Sequence, residues 1–370
     1  MRITALYIDA PAADLPETAS ICRRLGIPAK RVAHADELYS ELAAAEDPEG
    51  SGKRVLFLTR NKGAFLKDCP GTRHYTCCGY RILHFGSYCT MDCSYCILQA
   101  YFHPPVLQYY VNHDDLFREL EDCLSEPGIQ RIGTGEFTDS LIWEPWTDLS
   151  RRLTLRFARQ ARAVLELKTK TADIGALLHL PHRRKTILAW SLNTEGVIRR
   201  EERGSAALDA RLRAASRAAR AGYPVAFHFD PVVIYEGCEE EYRQAAERLF
   251  AAVPAGQIVW VSIGAFRFMP GLKPIIQRRF PDSRIVYGEF IAGLDGKARY
   301  FKPLRMQVLR SLAQAIQCRS PQTCVYLCME DDEVWRHAMG FTPAERGGLA
   351  RMLDEAAIRH CGLEGGSERQ

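Results

Sequence analysis

The chain has 370 residues, of which 47% are apolar and 25% charged, and its formal net charge is +4. These values are ordinary for a globular protein, and so small a net charge excludes a global basic field of the kind that would by itself indicate nucleic-acid binding. No apolar run is long enough to cross a bilayer, and Asp9 and Asp14 interrupt the stretch where a signal peptide needs an apolar core. We therefore expect a cytoplasmic protein with no membrane partner.

Residues 1–75 predict a small α/β appendage. Residues 3–8 and 55–59 have the composition of strands, and residues 17–25 that of a short helix. Residues 46–53 combine Pro, Gly and Ser, which predicts a turn or a short linker.

From about Arg81 onward, apolar strands alternate with amphipathic helices, a pattern typical of parallel βαβ units. One helix begins near Asp114, where an acidic side chain favours the helix N-terminus, and another ends at Gly222. The candidate strands span residues 82–85, 129–133, 164–168, 186–192, 224–229 and 258–263. Six such units predict an α/β fold, a partial (β/α)6 TIM-like barrel over residues 76–280 that is open where the complete barrel is closed.

Residues 281–370 predict a C-terminal extension. Residues 285–305 have the pattern of a hairpin that turns at Asp295–Gly296, and residues 303–317 that of a helix. The tail cysteines Cys318, Cys324 and Cys328 have C-x5-C-x3-C spacing. They are compatible with a second metal site, or with structural cysteines around a buried strand.

Three other cysteines, Cys89, Cys93 and Cys96, form a C-x3-C-x2-C motif directly after the first barrel strand. The chain has thirteen cysteines and no export signal, which favours metal binding or catalysis over disulfides. Thiolates suit iron–sulfur clusters, and a [4Fe–4S] cluster held by three of them keeps one iron open for a small molecule. The alternative is a structural or zinc role, in which His84 or His103 supplies a fourth ligand.

Two further features accompany the cysteine motif. Tyr95 precedes the third cysteine, and Gly133-Thr134-Gly135-Glu136 follows the second predicted strand. With these features the chain resembles the radical SAM superfamily, and from about Cys77 to Tyr300 its spore photoproduct lyase family. The resemblance implies a radical SAM fold, a [4Fe–4S] cluster on the cysteine motif, and S-adenosylmethionine (SAM) as the second cofactor. It also implies that Gly133, Gly135 and Glu136 approach the SAM ammonium group, because glycine leaves room for close contact.

Other segments carry the same resemblance. In residues 167–170 the matching lysine is Lys170, which the family resemblance directs to the SAM carboxylate. In residues 190–193 the resemblance implies that Ser191 and Asn193 contact SAM, and Arg199 is a second candidate for the carboxylate. His228 and Asp230 end the fifth predicted strand, where they either contact SAM or substrate or serve as a core histidine and a turn residue.

The chain departs from the family at the hydrogen donor. Spore photoproduct lyases repair a thymine dimer in DNA, and many carry a donor cysteine after the second strand, where this chain has Phe137. A tyrosine common after the third cluster cysteine is replaced by Ile97, whereas Tyr95 is kept as a catalytic candidate.

Cys77 and Cys78 are the candidate replacements for the missing donor. The neighbouring Arg73 and Arg81 are expected to favour a reactive thiolate. The alternative is that the two cysteines are small buried residues without a catalytic role.

The predicted hairpin carries basic and aromatic side chains in alternation. They are Arg284, Tyr287, Lys297, Arg299, Tyr300, Phe301, Lys302 and Arg305. The resemblance implies that the 284–305 hairpin contacts damaged duplex DNA, whose phosphates basic residues would hold and whose flipped-out lesion an aromatic side chain would support. The alternative is a solvated hairpin whose aromatic side chains face the core.

Together these features predict a radical SAM carbon–carbon lyase that reverses a thymine dimer in DNA, with an electron donor such as flavodoxin or ferredoxin. A second hypothesis keeps the radical chemistry but changes the substrate to a peptide, an RNA or a small molecule. A third is a non-catalytic zinc or cluster protein that binds nucleic acid.

Overall fold

The computed structural model describes residues 2–72 and 74–364, and within them the chain forms strands and helices in alternation. The strands are β1 (Ala5–Asp9), β2 (Ala29–Val32), β3 (Val55–Thr59), β4 (Leu66–Asp68), β5 (Arg81–Leu83), β6 (Gly86–Ser87), β7 (Asp92–Cys93), β8 (Leu107–Tyr110), β9 (Gln130–Gly133), β10 (Ala163–Thr169), β11 (Thr186–Ser191), β12 (Glu202–Arg203), β13 (Val225–Val232), β14 (Ile258–Ala265), β15 (Arg267–Phe268), β16 (Phe290–Ala292), β17 (Ala298–Tyr300) and β18 (Cys324–Leu327).

The helices are α1 (Pro16–Leu25), α2 (Ala35–Ala43), α3 (Pro48–Gly52), α4 (Leu98–Tyr101), α5 (His113–Ser125), α6 (Leu149–Phe157), α7 (Glu195–Glu201), α8 (Leu208–Arg220), α9 (Cys238–Ala252), α10 (Leu272–Arg279), α11 (Lys302–Arg319), α12 (Asp332–Met339) and α13 (Leu349–Cys361). Among the described residues, no helix combines the length and the apolar character that a bilayer-spanning segment needs.

The main sheet is curled into a half-barrel in the order β18-β14-β13-β11-β10-β9-β5-β4. Its six central strands are the six predicted from the sequence, and all pair in parallel. Strands β10, β11 and β14 are buried almost throughout, as expected for parallel strands that are covered on both faces. The partial barrel is therefore confirmed.

The sheet is two strands wider than predicted. Strand β4 adds antiparallel to β5, and β18 adds parallel to β14. The predicted buried strand in the tail is confirmed as β18. Its residues Val325 and Leu327 are buried, and its position at the sheet edge follows from pairing that the sequence alone does not reveal.

The two edges of the half-barrel are joined by the residues between β4 and β5, which we call the seam loop (residues 69–72 and 74–80). The amide of Thr76 donates to the carbonyl of Glu330, just after β18, at 3.2 Å. The Arg299 guanidinium lies 3.8 Å from the centroid of the Tyr75 ring. The seam loop thus contacts both the far edge of the sheet and the hairpin.

A second sheet, in the order β2-β1-β3-β8-β6, lies beside the half-barrel. Its strands β1, β2 and β3 come from the predicted appendage, whereas β6 and β8 come from residues 86–110. This sheet therefore contains strands from both sides of the boundary predicted at residue 75. The division into residues 1–75, 76–280 and 281–370 stays a prediction.

Within residues 46–53, where a turn or a short linker was predicted, Pro48–Gly52 form helix α3. Asp47 caps the helix by accepting a hydrogen bond from the Gly50 amide at 3.1 Å, and Pro48 occupies its first turn, where proline is well tolerated. Gly52 ends the helix so close to the neighbouring loop that an added Cβ would lie 1.5 Å from the carbonyl oxygen of Pro105. Helix α3 is therefore pressed against the loop that follows the cysteine motif.

The predicted hairpin is confirmed. Strands β16 and β17 pair antiparallel, and Gly296 has φ +73° in the turn between them, a conformation that favours glycine. Strand β15 pairs with β17 on its other side to give a three-stranded sheet. The predicted C-terminal helix is α11, which is slightly longer than expected.

The close approach at Gly52 generates a test of the contact between α3 and its neighbouring loop. We expect G52A to lower the free energy of unfolding by about 1–3 kcal/mol, because the methyl group displaces the Pro105 backbone. Urea unfolding followed by circular dichroism measures the difference. G256A is the matched control, since an added Cβ at Gly256 meets no atom within 4 Å. Equal stability of the two variants would contradict the packing.

Candidate cluster and cofactor site

The three motif cysteines lie in the loop that follows β5 at the mouth of the half-barrel. Cys89 and Cys93 are buried and Cys96 is half-buried, and all three are free thiols. The side-chain amide of Gln99 holds this loop together by hydrogen bonds. Its Nε2 lies 3.2, 3.0 and 3.3 Å from the carbonyl oxygens of Cys93, Ser94 and Cys96.

A buried polar network fixes the Cys93 side of the loop. Strand β7 pairs antiparallel with β12, which sets Cys93 opposite Glu202. The Lys170 ammonium donates to the Tyr95 hydroxyl at 2.6 Å and lies 3.7 Å from Cys93 Sγ. Tyr95 donates in turn to the Glu202 carboxylate, which also binds Arg211. Of the predicted residues, the structure thus brings together Cys93, Tyr95 and Lys170.

The charges in this network support one another. Burial opposes ionisation of Glu202, yet Lys170 and Arg211 lower its pKa to about 2. Burial raises the pKa of Cys93 to about 11, while the charge of Lys170 lowers it. Lys170 is therefore the fixed positive charge beside a thiol that must ionise to become a ligand.

Glu202 and Arg211 were not predicted from the sequence. They lie within residues 202–211, a segment that runs from a strand into a helix and whose sequence contains no recognisable motif. Asp139 was also missed, although it stands close to the glycine motif. Its buried carboxylate accepts from the Lys170 amide at 2.7 Å and from Thr169 Oγ1 at 2.8 Å. Asp139 therefore ties the loop after β9 to the end of β10, where Lys170 begins.

The glycines of the Gly133–Glu136 motif are required by the chain's own packing. A Cβ at Gly133 would lie 1.5 Å from the Tyr80 hydroxyl oxygen, and one at Gly135 would lie 2.7 Å from Lys168 Cβ. Glu136 is half-buried beside them. Burial opposes the charge of Lys168, but Glu136, Glu166 and Asp230 together raise its pKa above the ordinary value. Contact of the motif with SAM stays a prediction.

The other predicted SAM ligands differ in accessibility. Asn193 is 1% exposed, and its amide is occupied, since Oδ1 accepts from the Tyr242 hydroxyl at 2.6 Å and Nδ2 donates to the Pro231 carbonyl at 2.9 Å. Ser191 ends β11 and is largely buried, whereas Arg199 is exposed on α7. Both polar groups of the Asn193 side chain are thus engaged in hydrogen bonds within the protein.

His228 forms part of the barrel core. Its Nε2 lies 3.2 Å from Glu166 Oε1, and the Trp260 indole donates to the other oxygen of Glu166 at 2.9 Å. Asp230 is paired with Arg267 at 3.5 Å. The alternative of a core histidine therefore has direct support in this buried pair.

The zinc alternative required a histidine close to the motif. The His84 ring packs against Phe137 at 4.5 Å, and burial together with Lys67 lowers its pKa to about 3. His103 directs its Nε2 to the carbonyl of Ala100 at 3.1 Å. In residues 2–72 and 74–364, no group of three His, Cys, Asp or Glu side chains converges on a position for a single metal ion.

The motif residues fit an iron–sulfur cluster by the chemistry of their donors. Three thiols free of disulfides, two of them buried, are soft ligands in a water-poor loop. Lys170 lies beside one of them and offsets negative charge. A cluster takes its thiolates on separate irons, so the three sulfur atoms need not converge on one point.

A second group of thiols lies in the seam loop. The Cys69 thiol hydrogen-bonds to both Cys77 and Cys78, and these bonds raise the pKa of Cys69. Hydrogen bonds from Cys69 and Cys78 lower the pKa of Cys77, and the Arg131 guanidinium contributes in the same direction. Cys69 was not predicted as a member of this thiol cluster (Cys69, Cys77 and Cys78).

Two expectations about the thiol cluster are corrected. Arg81 does not act on it, because its guanidinium binds Glu126 at 2.8 Å and Cys123 Sγ at 2.8 Å. The neighbouring cation is instead Arg131, which donates to the Cys78 carbonyl at 2.7 Å. Cys77 is exposed, so it is not a small buried residue. Arg73, the other predicted cation, lies outside the described residues.

The tail cysteines have three different surroundings. Cys318 is exposed on α11, Cys324 Sγ lies 3.9 Å from the Met352 carbonyl, and Cys328 Sγ lies 3.6 Å from Arg267. Their spacing in the sequence therefore does not correspond to one shared environment.

The hairpin differs from the predicted basic surface. Arg299 and Arg305 are buried and paired with Asp295 and Glu330, and Lys302 binds Asp331 at 2.9 Å. Arg299 and Arg305 are enclosed within the protein, so the expectation that these two hold phosphates is wrong. Lys302 is only half-buried, and its contact with phosphate stays a prediction. Several large apolar side chains of this region are exposed. They are Met269, Tyr287, Ile291, Leu294 and Phe301, with Leu294 72% exposed.

A sequence model of the family described as "Spore photoproduct lyase" matches residues 77–301 of the chain. The chain belongs to the spore photoproduct lyase family. The spore photoproduct lyase of Bacillus subtilis is 30% identical over 210 residues, which are 55% of this chain and 61% of that protein. That of Clostridium acetobutylicum is 24% identical over 254 residues, 68% of this chain and 71% of that protein.

The fold agrees with the family. A solved structure described as "Spore photoproduct lyase complexed with dinucleoside spore photoproduct" matches with a TM-score of 0.77 at 22% identity, over 88% of this chain and 98% of that chain. This chain spans about three fifths of the length of its Bacillus subtilis relative.

Phe137 lies within a cluster of aromatic rings. The Phe137 ring is stacked on Tyr101 at 5.9 Å and packs against Phe102 and His84. Its carbonyl accepts from the Tyr88 amide at 2.9 Å. An aromatic cluster therefore surrounds Phe137, and its replacement of the family's donor cysteine stays a prediction.

The buried carboxylate of Glu202 generates a stability test. We expect E202Q to lower the free energy of unfolding by about 3 kcal/mol or more, because Lys170 and Arg211 lose the charge that compensates them in a buried site. The exposed pair of Glu240 and Arg243 offers the matched control E240Q, whose expected loss is much smaller because exposed ion pairs contribute little to stability. Denaturant unfolding compares them, and similar losses would contradict the role given to Glu202.

Proposed function

We propose that this protein is a radical SAM lyase that reverses a thymine-dimer lesion in DNA, using a [4Fe–4S] cluster bound by Cys89, Cys93 and Cys96. The observation that carries the proposal is the position of this motif at the mouth of the half-barrel, with Lys170 and Tyr95 held against Cys93. When bound, the cluster and SAM supply a carbon-centred radical that removes a hydrogen atom from the substrate.

The chain's own residues would hold and orient the cofactors. Lys170 presents a fixed positive charge suited to the SAM carboxylate, and Glu136 presents a carboxylate suited to the ammonium group. Ser191 offers a hydroxyl at the end of β11, at the same mouth. Asp139 and Glu202 keep Lys170 in place from opposite sides, through its backbone amide and its ammonium group.

The exposed apolar side chains of the hairpin support a nucleic-acid substrate. Proteins that distort duplex DNA frequently insert apolar side chains between bases, and Leu294 and Ile291 are exposed near the hairpin turn. Arg284 is an exposed cation beside Tyr287. The solved relative described as a complex with a dinucleoside spore photoproduct binds such a lesion.

The thiol cluster supports a substitute hydrogen donor. A donor must carry an S–H bond, and the hydrogen bonds that favour a thiolate at Cys77 keep the proton on Cys69. In the proposed step an S–H bond of the thiol cluster breaks homolytically, and a C–H bond forms on the product radical. The remaining protein thiyl radical takes a hydrogen atom from a small thiol in solution, and the small thiyl radicals from two turnovers combine to form a disulfide.

The electron needed for SAM cleavage is proposed to come from a flavodoxin or a ferredoxin. Ile97 and Tyr101 are exposed on the segment after Cys96, which gives this part of the cluster loop an accessible apolar surface. A docking protein would approach the cluster most closely there.

A second candidate keeps the radical chemistry but changes the substrate to a peptide, an RNA or a small molecule. It is favoured by Phe137, which replaces the donor thiol that many relatives use on a thymine dimer. The cofactor-binding residues are the same in both candidates, so only substrate assays distinguish them.

Anaerobic reconstitution tests the proposed function. We expect about four iron atoms per chain, and conversion of SAM to 5′-deoxyadenosine together with repaired thymine from lesion-containing DNA. C93A should lose iron and both products, whereas C238A should retain them, because Cys238 is a buried thiol on α9 remote from the motif in sequence. Deoxyadenosine without repair would favour the second candidate. Bound zinc with intact SAM would eliminate both.

The donor proposal has its own test. In the variant with alanine at all of Cys69, Cys77 and Cys78, we expect repaired thymine per deoxyadenosine to fall by about tenfold or more, a rise of at least about 1.4 kcal/mol in the barrier to hydrogen transfer. The exposed Cys318 provides the control variant C318A. Iron content should be unchanged in both. An unaltered product ratio in the triple variant would contradict the thiol cluster as donor.

A further inference from the structure

Lys53 is a completely buried cation that reaches the cysteine loop from the N-terminal part of the chain. It follows α3 directly, and its relative exposure is 0%. The ammonium group donates to the carbonyl oxygen of Met91 at 2.7 Å and to that of Cys89 at 3.3 Å. A lysine is seldom fully buried, and here its hydrogen-bond partners belong to the cluster loop itself.

The same ammonium group has two further neighbours in the loop. It lies 3.6 Å from the carboxylate of Asp92 and 4.5 Å from the centroid of the Tyr88 ring. Tyr88 has φ +72°, a left-handed conformation that non-glycine residues rarely adopt. A backbone in this conformation persists when its surroundings hold it, and Lys53 contacts the Tyr88 ring and the carbonyl groups of Cys89 and Met91 that follow it.

Helix α3 holds Tyr88 from the other end of the side chain. The Tyr88 hydroxyl donates to the Glu49 carbonyl at 2.9 Å. Asp47, before α3, binds Arg279 at 2.8 Å, and Arg279 in turn binds Asp92 at 3.0 Å. The cluster loop is therefore held at Tyr88, Met91 and Asp92 by contacts that run through residues 47–53.

The charge of Lys53 also matters for the group that the loop would bind. The Asp92 carboxylate lies 3.6 Å from Lys53 and 3.0 Å from Arg279, so one negative charge is shared by two cations. A positive charge buried beside a ligand cysteine stabilises added negative charge, and reduction of a cluster adds one electron.

We infer that Lys53 is a positioning residue that organises the cluster loop before the cluster binds and then favours its reduced state. This inference rests on the proposed function, because it assigns the cluster to Cys89, Cys93 and Cys96. It gives the N-terminal region a direct part in the chemistry of the barrel.

The test compares K53M, K53Q and K53R with the unsubstituted chain. K53R keeps the charge, K53Q keeps a donor without charge, and K53M removes both. K30M is the matched control, because Lys30 forms an exposed pair with Glu41 in the same N-terminal sheet. Circular dichroism establishes that each variant is folded.

The first measurement uses the metal-free protein. We expect amide hydrogen exchange in residues 88–93 of K53M to be about tenfold faster or more than in the unsubstituted chain and K30M, because the loop loses its internal tether. Unchanged exchange in a folded K53M would overturn the organising role.

The second measurement is an EPR-monitored redox titration of the reconstituted protein. We expect K53Q to shift the midpoint potential to a more negative value by about 59 mV or more, tenfold in the reduction equilibrium, while K53R and K30M stay near the unsubstituted value. Should K53M fail to fold, the comparison of K53Q with K53R still measures the effect of charge. Equal potentials in K53Q and K53R would overturn the electrostatic role. If the unsubstituted chain assembles no cluster, the proposed function fails instead.

Discussion

The Glu202 carboxylate lies in the buried interior, between the cations of Lys170 and Arg211 and the hydroxyl of Tyr95. A buried charge is stable only when it is paired and hydrogen-bonded, so each member of this group restricts the others. Glu202 also lies opposite Cys93 in the antiparallel pair of β12 and β7. The network therefore sets the position of the cysteine loop against strand β10. The network thereby couples the cysteine loop to the barrel.

The half-barrel does not close on itself. The seam loop and the hairpin, which differ in chemistry, cover its mouth. The seam loop brings three thiols and joins the two sheet edges through Thr76 and Glu330. The hairpin brings apolar side chains to the surface and keeps Arg299 and Arg305 inside. A radical enzyme needs both a shielded interior and a donor within reach of its substrate. The seam loop serves both needs if its thiols act as we propose.

The N-terminal region is more than an appendage in physical terms. Its sheet is completed by β6 and β8, which flank the cysteine motif in the sequence. Helix α3 contacts the loop before β8 at Pro105 and the cysteine loop through the Glu49 carbonyl, which accepts from Tyr88. Lys53 reaches the carbonyl groups of Cys89 and Met91 through this packing. Changes in residues 47–53 therefore act directly on the geometry of the cluster loop, although these residues are far from the motif along the chain.

The sequence by itself determined the local features. The cysteine spacing, the six central strands and the turn at Gly296 follow from short-range patterns, because thiolate chemistry, strand periodicity and glycine conformation are properties of a few neighbouring residues. The tertiary structure alone decided which distant residues meet. Glu202 with Tyr95, Lys53 with Met91, and Cys69 with Cys78 carry no common signal, since their contacts arise from strand pairing and loop packing. The same cause explains the error at the hairpin. The basic residues in the sequence do not reveal that Arg299 and Arg305 pair with buried carboxylates, because burial depends on how the whole chain folds.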